Sequence, residues 1–490
     1  MKPSSLWRVL AACAGLSVGL VGLAGCQKQT ARSAAQSPPV SRRSDDRDRQ
    51  SVAVTIYNRN FGVVRDTRRL ALAPGRVELS FADVSAHVQP ETVRLHSLTE
   101  GASFDVLEQN YRYDLLTPAK LLEKHVGKTI TVYRYNEKTG VDEKKTAEVL
   151  SVEGGVTLRI DGEVTTNFQG RYGFKEVPAN LLAEPTLVWL LESDRAEQQV
   201  EVTYLTQNLN WHADYVLKLD SSERKADLNG WVTLDNQSGV SYPNATLRLV
   251  AGDVNRVTPV APEEPTLQAV ELDAARDSRQ FKEEGLFEYH LYTLDRPTSI
   301  LNKETKQVAL LSAEGVEVVK KLVFDGQPYF FRGPYGQLIQ NQKVGVFVEL
   351  QNSEGNRLGM PLPKGTVRLY QADKSGTLQF VGEDAIDHTP RDEKVSLKVG
   401  EAFDVVADRK QTEWSQVSNC VGESAFEIEL RNHKDSAVQV EVNEPAGGEW
   451  EVLQHSQPFV KVDAATFRFQ VAVPARGATK LTYRVRVRYC

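Results

Sequence analysis

Cysteine and histidine are scarce in this sequence, and neither is spaced to bind a metal. The 490 residues include 4 Cys and 8 His. There is no Cys-x-x-Cys string, and no two histidines stand at the spacing of a helical or turn-linked metal pair. So few cysteines exclude a disulfide scaffold. We therefore expect no metal site and no cofactor.

Basic residues show no excess. The chain has 59 Lys plus Arg against 65 Asp plus Glu, a net charge of −6. A nucleic-acid-binding protein needs a positive surface to displace counterions, so we expect no nucleic-acid partner. A composition of 41% hydrophobic and 25% charged residues is that of an ordinary globular chain. Its length suggests about three domains.

The catalytic motifs that occur are misplaced. A Gly-x-Ser-x-Gly string at residues 15–19 lies in the N-terminal apolar run, not at a strand-to-helix turn. The Lys-Thr-Gly at 138–140 precedes the Ser-x-x-Lys at 222–225, the reverse of the order in penicillin-binding proteins. These observations favour a protein without enzymatic activity. A hydrolase with paired carboxylates would leave no such motif and stays an alternative.

The N-terminus carries an export signal. Lys2 and Arg8 precede an apolar run over residues 9–25, and polar residues follow from Gln27. The run has 17 residues, the short limit for a membrane-spanning helix. Together with the positive start, it predicts a secretory signal peptide over residues 1–25.

The string Leu23-Ala24-Gly25-Cys26 resembles a bacterial lipobox. In proteins with that motif the signal is cut before the cysteine, so Cys26 would carry the lipid and anchor the chain in a membrane. Gln27, rather than Asp, resembles the pattern sorted to the outer membrane of Gram-negative bacteria. We expect an exported lipoprotein of the outer membrane, facing the periplasm or the surface. A plain secretory signal with an incidental Cys26 is the alternative.

Short runs of alternating apolar and polar residues fill the chain after residue 51. Examples are Val52-Val54-Ile56, Val200-Val202-Tyr204, Val344-Val346-Val348, Phe467-Phe469-Val471 and Tyr483-Val485-Val487. Such alternation is typical of half-buried antiparallel strands. We predict an all-β chain of several antiparallel β-sandwich or small-barrel modules in tandem. One short helix is expected after Thr117-Pro118, an N-cap followed by a proline at the first helical position.

Breaks in this pattern divide the chain. The polar residues 26–50 predict a disordered tether. Residues 51–185 predict an N-terminal β domain with an SH3-like barrel inserted at 114–185. Residues 186–392 predict a central β-sandwich with a loop excursion at 257–284. Residues 393–490 hold roughly seven strands, the number in an immunoglobulin-like sandwich.

Several strings resemble a bacterial family named as a domain of unknown function, family 4139. They are Asn110-Tyr111-Arg112-Tyr113-Asp114 with Leu121-Leu122-Glu123-Lys124, Asn210-Trp211-His212-Ala213-Asp214-Tyr215, Gly230-Trp231-Val232-Thr233-Leu234-Asp235-Asn236-Gln237-Ser238-Gly239, Leu249-Val250-Ala251-Gly252-Asp253-Val254-Asn255, and Gly382-Glu383-Asp384-Ala385-Ile386-Asp387-His388-Thr389-Pro390. The similarity extends over about residues 51–490. The resemblance implies an exported β-rich protein, and it carries no catalytic residues to this chain.

Two side-chain clusters are candidate sites. The aromatic cluster consists of Tyr329, Phe330, Phe331, Arg332 and Tyr335, which would bind a partner if exposed and would otherwise fill a core. The acidic cluster around Pro390 consists of Glu383, Asp384, Asp387, His388, Asp392 and Glu393. It could hold a hard cation or an acid–base pair, but a turn whose side chains bond nearby backbone amides is the favoured interpretation.

Two cysteines remain in the body of the mature chain. Cys420 precedes a predicted strand and Cys490 follows the last one. In an oxidising compartment we favour a disulfide between them, with pairing between molecules as the alternative.

Together these features predict a lipid-anchored cell-envelope protein of non-enzymatic, binding or scaffold type. Its partner would be an envelope protein or a glycan, and its oligomeric state stays open. One alternative is an envelope polysaccharide or peptidoglycan hydrolase, which predicts an acidic cleft with two carboxyls. Another is an array of carbohydrate-binding modules, which predicts exposed aromatic rings on one sheet face.

Overall fold

The computed structural model describes residues 38–178, 181–256, 280–335 and 338–490, and strands dominate in them. The strands before residue 180 are β1 (Val40–Ser44), β2 (Arg49–Tyr57), β3 (Phe61–Ala71), β4 (Gly75–Phe81), β5 (Arg94–Ser97), β6 (Phe104–Arg112), β7 (Thr129–Asn136), β8 (Val141–Ser151), β9 (Thr157–Ile160), β10 (Glu163–Thr166) and β11 (Arg171–Gly173). The all-β prediction is confirmed.

The strands after residue 180 are β12 (Thr186–Ser193), β13 (Glu197–Gln207), β14 (Leu209–Leu219), β15 (Lys225–Asn236), β16 (Tyr242–Ala251), β17 (Phe281–Leu286), β18 (Tyr289–Leu294), β19 (Thr298–Ile300), β20 (Glu304–Asp325), β21 (Ile339–Gln351), β22 (Gly365–Ala372), β23 (Leu378–Ile386), β24 (Lys394–Ser418), β25 (Val421–Asn432), β26 (Val438–Pro445), β27 (Glu449–His455), β28 (Phe459–Lys461), β29 (Thr466–Val473) and β30 (Gly477–Arg488). Short 3-10 turns occur at Asp46–Asp48, Pro90–Thr92, Pro328–Phe331 and Glu354–Asn356.

One α-helix, α1 (Pro118–Glu123), forms in the described residues where the sequence predicts it. The side chain of Thr117 accepts the backbone N–H of Lys120 at 3.1 Å, and Pro118 occupies the first helical position. The Thr117 side chain pairs one of the free backbone N–H groups of the first turn, and Pro118 has no N–H that needs a partner. Leu122 is the buried residue of this helix.

The strands form four sheets. Their orders are β1-β4-β12-β6, then β10-β9-β8-β7-β11, then β17-β18-β16-β2-β3-β13-β5 with β19 beside β16, and a thirteen-stranded sheet along β23-β22-β14-β15-β20-β21-β24-β25-β30-β27. In this last sheet, β26 pairs with β20 and leads to β29 and β28. Most pairs are antiparallel, and β1–β4, β16–β2, β14–β22 and β20–β26 are parallel.

The larger hydrophobic core, here called the first core, takes its residues from Val52 to Leu397. Within it Trp189 is fully buried, and its Nε1 donates to Oε1 of Gln109 at 2.8 Å. Strand β12, which carries Trp189, pairs with β4 and β6. The boundary expected between residues 185 and 186 therefore lies inside one continuous core, because the strand after it completes the sheet formed before it.

The second core takes its residues from Leu322 to Val487. Three long strands contribute to both cores: β20 supplies Val308 to the first and Phe324 to the second, β21 supplies Val348 and Val344, and β24 supplies Leu397 and Val405. The start of β24, just after the boundary expected at residue 393, therefore packs in the first core with the strands before that boundary. Alternation alone does not show where a strand passes from one core to the next.

A buried ion pair lies in the second core. Arg409 and Glu444 are in direct contact, with side chains 2% and 0% exposed. The guanidinium of Arg409 also lies 4.6 Å from the ring centre of Phe330. Burial raises the pKa of Glu444, and the positive charge of Arg409 opposes that effect. The pair is the main polar feature of an otherwise apolar interior.

The five-stranded sheet replaces the SH3-like barrel expected at residues 114–185. It packs on its own small core, which includes Leu122, Ile130, Val149 and Leu158. Its end strands β10 and β11 have four and three residues and do not pair with each other, so the sheet stays open. Strands this short offer too few ladder bonds to close a barrel.

The last part of the expected tether is a strand. Val40–Ser44 pairs in parallel with β4, and the backbone oxygen of Ser44 accepts the N–H of Ala82 at 2.8 Å. Arg43 contacts Glu184, which lies in the bend before β12. The first four residues of β1 are exposed, so an edge strand of this kind buries too little apolar surface to be recognised from composition.

The loop excursion expected at 257–284 lies mostly outside the described residues. At its end, Phe281 begins β17, which pairs with β18, and its ring is 2% exposed. Among the described residues, no helix has the length and apolar character needed to cross a bilayer.

Candidate functional site

A polar network lies on the outer face of the thirteen-stranded sheet. Along β14, Trp211, Ala213 and Tyr215 are buried in the first core, so the alternate residues His212 and Asp214 face outward. Asp214 stands opposite Trp231 on β15 and beside Thr366 on β22. Strands β14, β15 and β22 therefore form the floor of this surface, here called the Trp231 face.

The close approach of β22 to β14 depends on a glycine. A Cβ on Gly365 would overlap the backbone carbonyl of Ala213. With no side chain at this point, the parallel ladder forms from Ala213–Gly365 onward. This register places Arg368, three residues later, within reach of Asp214.

Asp214 is the centre of the network. Its carboxylate accepts the hydroxyl of Thr233 at 2.6 Å and Nη1 of Arg368 at 2.9 Å, and Nε2 of His212 lies 3.2 Å away. The side chain is 15% exposed. Burial raises the pKa of Asp214, but the hydrogen bonds from Thr233 and Arg368 outweigh it, so the pKa is lowered overall. The carboxylate is held ionised and in one orientation.

Two further side chains extend the network. Nε of Arg368 lies 3.2 Å from Oε2 of Glu383 on β23, so one guanidinium joins two carboxylates. On the other side, Nε2 of Gln307 donates to the Thr233 hydroxyl at 3.2 Å. The hydrogen bond to Asp214 raises the pKa of Arg368. Each charged group thus has a partner before any ligand arrives.

Trp231 supplies an apolar surface among these charges. Its side chain is 40% exposed on β15. A second aromatic pair lies on the same face, where Tyr370 of β22 stands opposite Phe380 of β23 with ring centres 5.7 Å apart. Phe380 is 55% exposed. Flat rings beside fixed polar groups suit a ligand that offers both an apolar face and hydrogen-bonding groups.

The aromatic cluster expected as a binding surface is only partly on the surface. The 3-10 turn Pro328–Phe331 directs Phe330 and Phe331 into the second core, where they are 2% and 0% exposed. Tyr329 and Tyr335 are 50% and 39% exposed, with ring centres 5.5 Å apart, and Arg332 is exposed. The tight turn thus divides the cluster: Phe330 and Phe331 fill the core, which was one of the two interpretations, while Tyr329, Arg332 and Tyr335 reach the solvent.

Two members of the acidic cluster around Pro390, Asp384 and His388, bond backbone amides. Asp384 accepts the backbone N–H of Lys398 at 2.7 Å. His388 Nδ1 accepts the N–H of Lys364 at 3.2 Å, and its Nε2 lies 3.0 Å from the side-chain amide of Asn58. Burial lowers the pKa of His388, and the charge of Lys364 adds to this effect. Both ring nitrogens are engaged, as expected of a structural histidine.

The remaining candidates are the cysteines. A disulfide joins Cys420 and Cys490, whose Cα atoms are 5.4 Å apart, and the N–H of Tyr489 donates to the backbone oxygen of Cys420 at 3.0 Å. Cys26 lies outside the described residues. Among those residues, no group of three or more His, Cys, Asp or Glu side chains could hold a metal ion.

Sequence reasoning did not single out the Trp231 face. The residues that form it were in view, since His212, Asp214, Trp231, Thr233 and Glu383 all fall in strings that resemble the family. The alternation of polar and buried residues in Trp211-His212-Ala213-Asp214-Tyr215 was a signal that could have shown which side chains face outward. Parity alone does not say which strands are neighbours, and Arg368 comes from a distant part of the chain.

Comparison with known proteins supports the family resemblance noted in the sequence. No curated protein matches this chain. A family model described as Domain of unknown function (DUF4139) matches residues 200–490, which include every strand of the Trp231 face. The strings at residues 110–124 precede the matched region. This chain belongs to the DUF4139 family.

Proposed function

We propose that this protein is an exported, lipid-anchored binding protein of the cell envelope, which holds a partner on the Trp231 face without transforming it. The observation that carries the proposal is the preformed network around Asp214. A rigid, fully paired set of polar groups beside an exposed indole loses little conformational freedom on binding.

The ionisation of the network supports binding over catalysis. An acid catalyst in glycoside hydrolysis needs a carboxyl whose pKa is raised. The pKa of Asp214 is lowered instead, and Glu383 pairs with the same arginine. On this face both carboxylates are therefore suited to accept hydrogen bonds from a ligand.

The proposed anchor has a short reach. If Cys26 carries the lipid, the chain between it and β1 at Val40 spans at most about 50 Å when fully extended. A tether reaching residue 50 would be almost twice as long.

A hydrolase remains the second candidate because of a cavity in the five-stranded sheet. The cavity has a volume of about 230 Å³ and contains the carboxyls of Glu143, Asp161 and Glu163. Lys145 neutralises Asp161 at 2.8 Å. This sheet precedes the residues that the family model matches.

The binding function is tested by crosslinking full-length protein in intact membranes and identifying captured molecules by mass spectrometry. Trp231→Ala and Asp214→Asn should abolish specific capture. Phe403→Ala is the matched control, because that ring is 90% exposed and lies on β24, outside the strands that carry the network. Cys26→Ala should release the protein from the membrane. Capture that survives both Trp231→Ala and Asp214→Asn contradicts the proposal.

The hydrolase is tested separately with Glu143→Gln and Glu163→Gln. Purified wild-type protein and both variants are incubated with peptidoglycan and with envelope polysaccharide, and released fragments are measured. The binding proposal expects no release by any of the three. Fragment release by wild type that either variant abolishes would establish the hydrolase instead.

A further inference from the structure

We infer that the ligand of the Trp231 face is an uncharged saccharide chain that runs obliquely across β15, β14 and β22. This inference rests on the proposed binding function and names its ligand class. It is carried by the chemistry that surrounds Trp231, by the charge of the face, and by the position of a second aromatic pair.

The groups around Trp231 match a pyranose ring. The apolar C–H face of a sugar ring can cover an exposed indole, while its hydroxyls both donate and accept hydrogen bonds at the ring edge. Asp214, level with Trp231 on the next strand, offers acceptors beside the indole, while Arg368 and Glu383, two and three strands from Trp231, offer donors and acceptors to the following sugar units. Two residues before Trp231, Asn229 accepts the hydroxyl of Ser312 at 2.8 Å, which extends the polar row.

The same surroundings disfavour a protein partner. Energetically important tryptophans in protein interfaces lie among residues that exclude water. Here the indole lies beside the ionised carboxylate of Asp214, and an apolar protein surface would remove water from that carboxylate without replacing its hydrogen bonds. Sugar hydroxyls can replace those waters one by one.

The charge of the face disfavours an anionic ligand. Among the described residues of β14, β15, β22 and β23, the carboxylates of Asp214, Asp227, Asp235 and Glu383 face outward with the cations Lys218, Lys225 and Arg368, and Lys218 lies 3.9 Å from Asp227. A polyanion would meet a surface with a net negative charge. The ligand class that fits is therefore a neutral glycan.

The second aromatic pair, Tyr370 and Phe380, sets the length of the proposed saccharide site. Trp231 on β15 and Thr366 on β22 are level with each other, because both stand beside Asp214 of the intervening strand β14. Tyr370 lies four residues beyond Thr366 on β22, and thus two strands away from Trp231. Strand geometry separates the two rings by about 10 Å across the sheet and about 13 Å along it, roughly 16 Å in all. Arg368 lies between them on the same face. A site of this length takes several sugar units rather than one.

The experiment measures binding of full-length protein to an array of neutral and anionic bacterial oligosaccharides, followed by titration with neutral ladders of one to six units. We expect neutral chains to bind and affinity to rise with length. Trp231→Ala should weaken binding of all lengths at least tenfold. Tyr370→Ala should weaken only the longer chains, and Phe403→Ala should change nothing.

The outcomes separate this inference from the function on which it rests. Preference for anionic chains, binding that is independent of Trp231, or no binding to any glycan overturns the saccharide assignment. If the membrane crosslinking then captures a protein through Trp231, the binding function stands and only the ligand class is wrong. If nothing is captured either, both are wrong.

Discussion

Replacing Arg409 by Met should destabilise the second core, because it leaves the buried carboxylate of Glu444 without a counter-charge. The two side chains are 2% and 0% exposed, so water cannot take the place of the arginine. The rings of Phe324 and Phe426 also lie 5.5 Å from the guanidinium and would not solvate the carboxylate. Breaking a buried pair by removing one partner costs about 3–5 kcal/mol of unfolding free energy.

The loss should depend on pH in a definite direction. Burial already raises the pKa of Glu444, and without Arg409 only the hydrogen bond from Tyr483 opposes that effect. A raised pKa means that the folded state binds the proton more tightly than the unfolded state does. The variant is therefore most stable below the ordinary Glu pKa of 4.5 and loses stability as the pH rises through the folded value. The difference in unfolding free energy between the variant and wild type should therefore become smaller at acidic pH.

Urea unfolding followed by Trp450 fluorescence reports on this core, since that indole packs 5.0 Å from Phe467. The matched control is the double variant Arg409→Met with Glu444→Leu. Removing both charges should restore most of the lost stability, because buried ion pairs are seldom more stable than well-packed apolar residues. A single variant that loses less than about 1 kcal/mol, or a double variant no more stable than the single, would refute this reasoning.

Three further predictions concern stability. Cys420 and Cys490 are 70 residues apart, so reducing their bond should lower the unfolding free energy by about 4 kcal/mol in the chain-entropy model, as measured by melts with and without reductant; an unchanged melt argues against it. Because the pKa of His388 is lowered from 6.5, wild type should lose stability as the pH falls through 6.5 toward the pKa of the folded state. His388→Gln should make the unfolding free energy depend less on pH in that range. An equal pH dependence in both proteins would contradict this. Deleting the chain through Ser44 should cost about 1–3 kcal/mol, because β4 loses its parallel partner; a deletion without effect would show that β1 is dispensable.

Prediction from sequence succeeded where the signal is local. Thr117 and Pro118 mark the start of α1 because capping involves neighbouring residues only. Alternation in β13 and β29 identified half-buried strands because parity is a property of each strand by itself.

Prediction failed where a feature depends on distant partners. The edge strand β1 exists because β4 offers it a ladder, and its own composition carries no sign of it. The aromatic cluster was ambiguous because the turn at Pro328–Phe331 decides which rings are buried. Strand pairing crosses the expected boundaries at 185/186 and 392/393, because β12 pairs with the earlier strands β4 and β6, and β24 pairs with the earlier strand β21.

The sequence by itself determined that the described chain is all-β, because the two-residue period repeats whatever the strands pair with. Its family membership is equally a property of the sequence. Only the tertiary structure decided that β20, β21 and β24 extend through both cores, and that Arg368 reaches Asp214 from 154 residues away. Those outcomes depend on which strands become neighbours, and that choice is made by the packing of the whole chain.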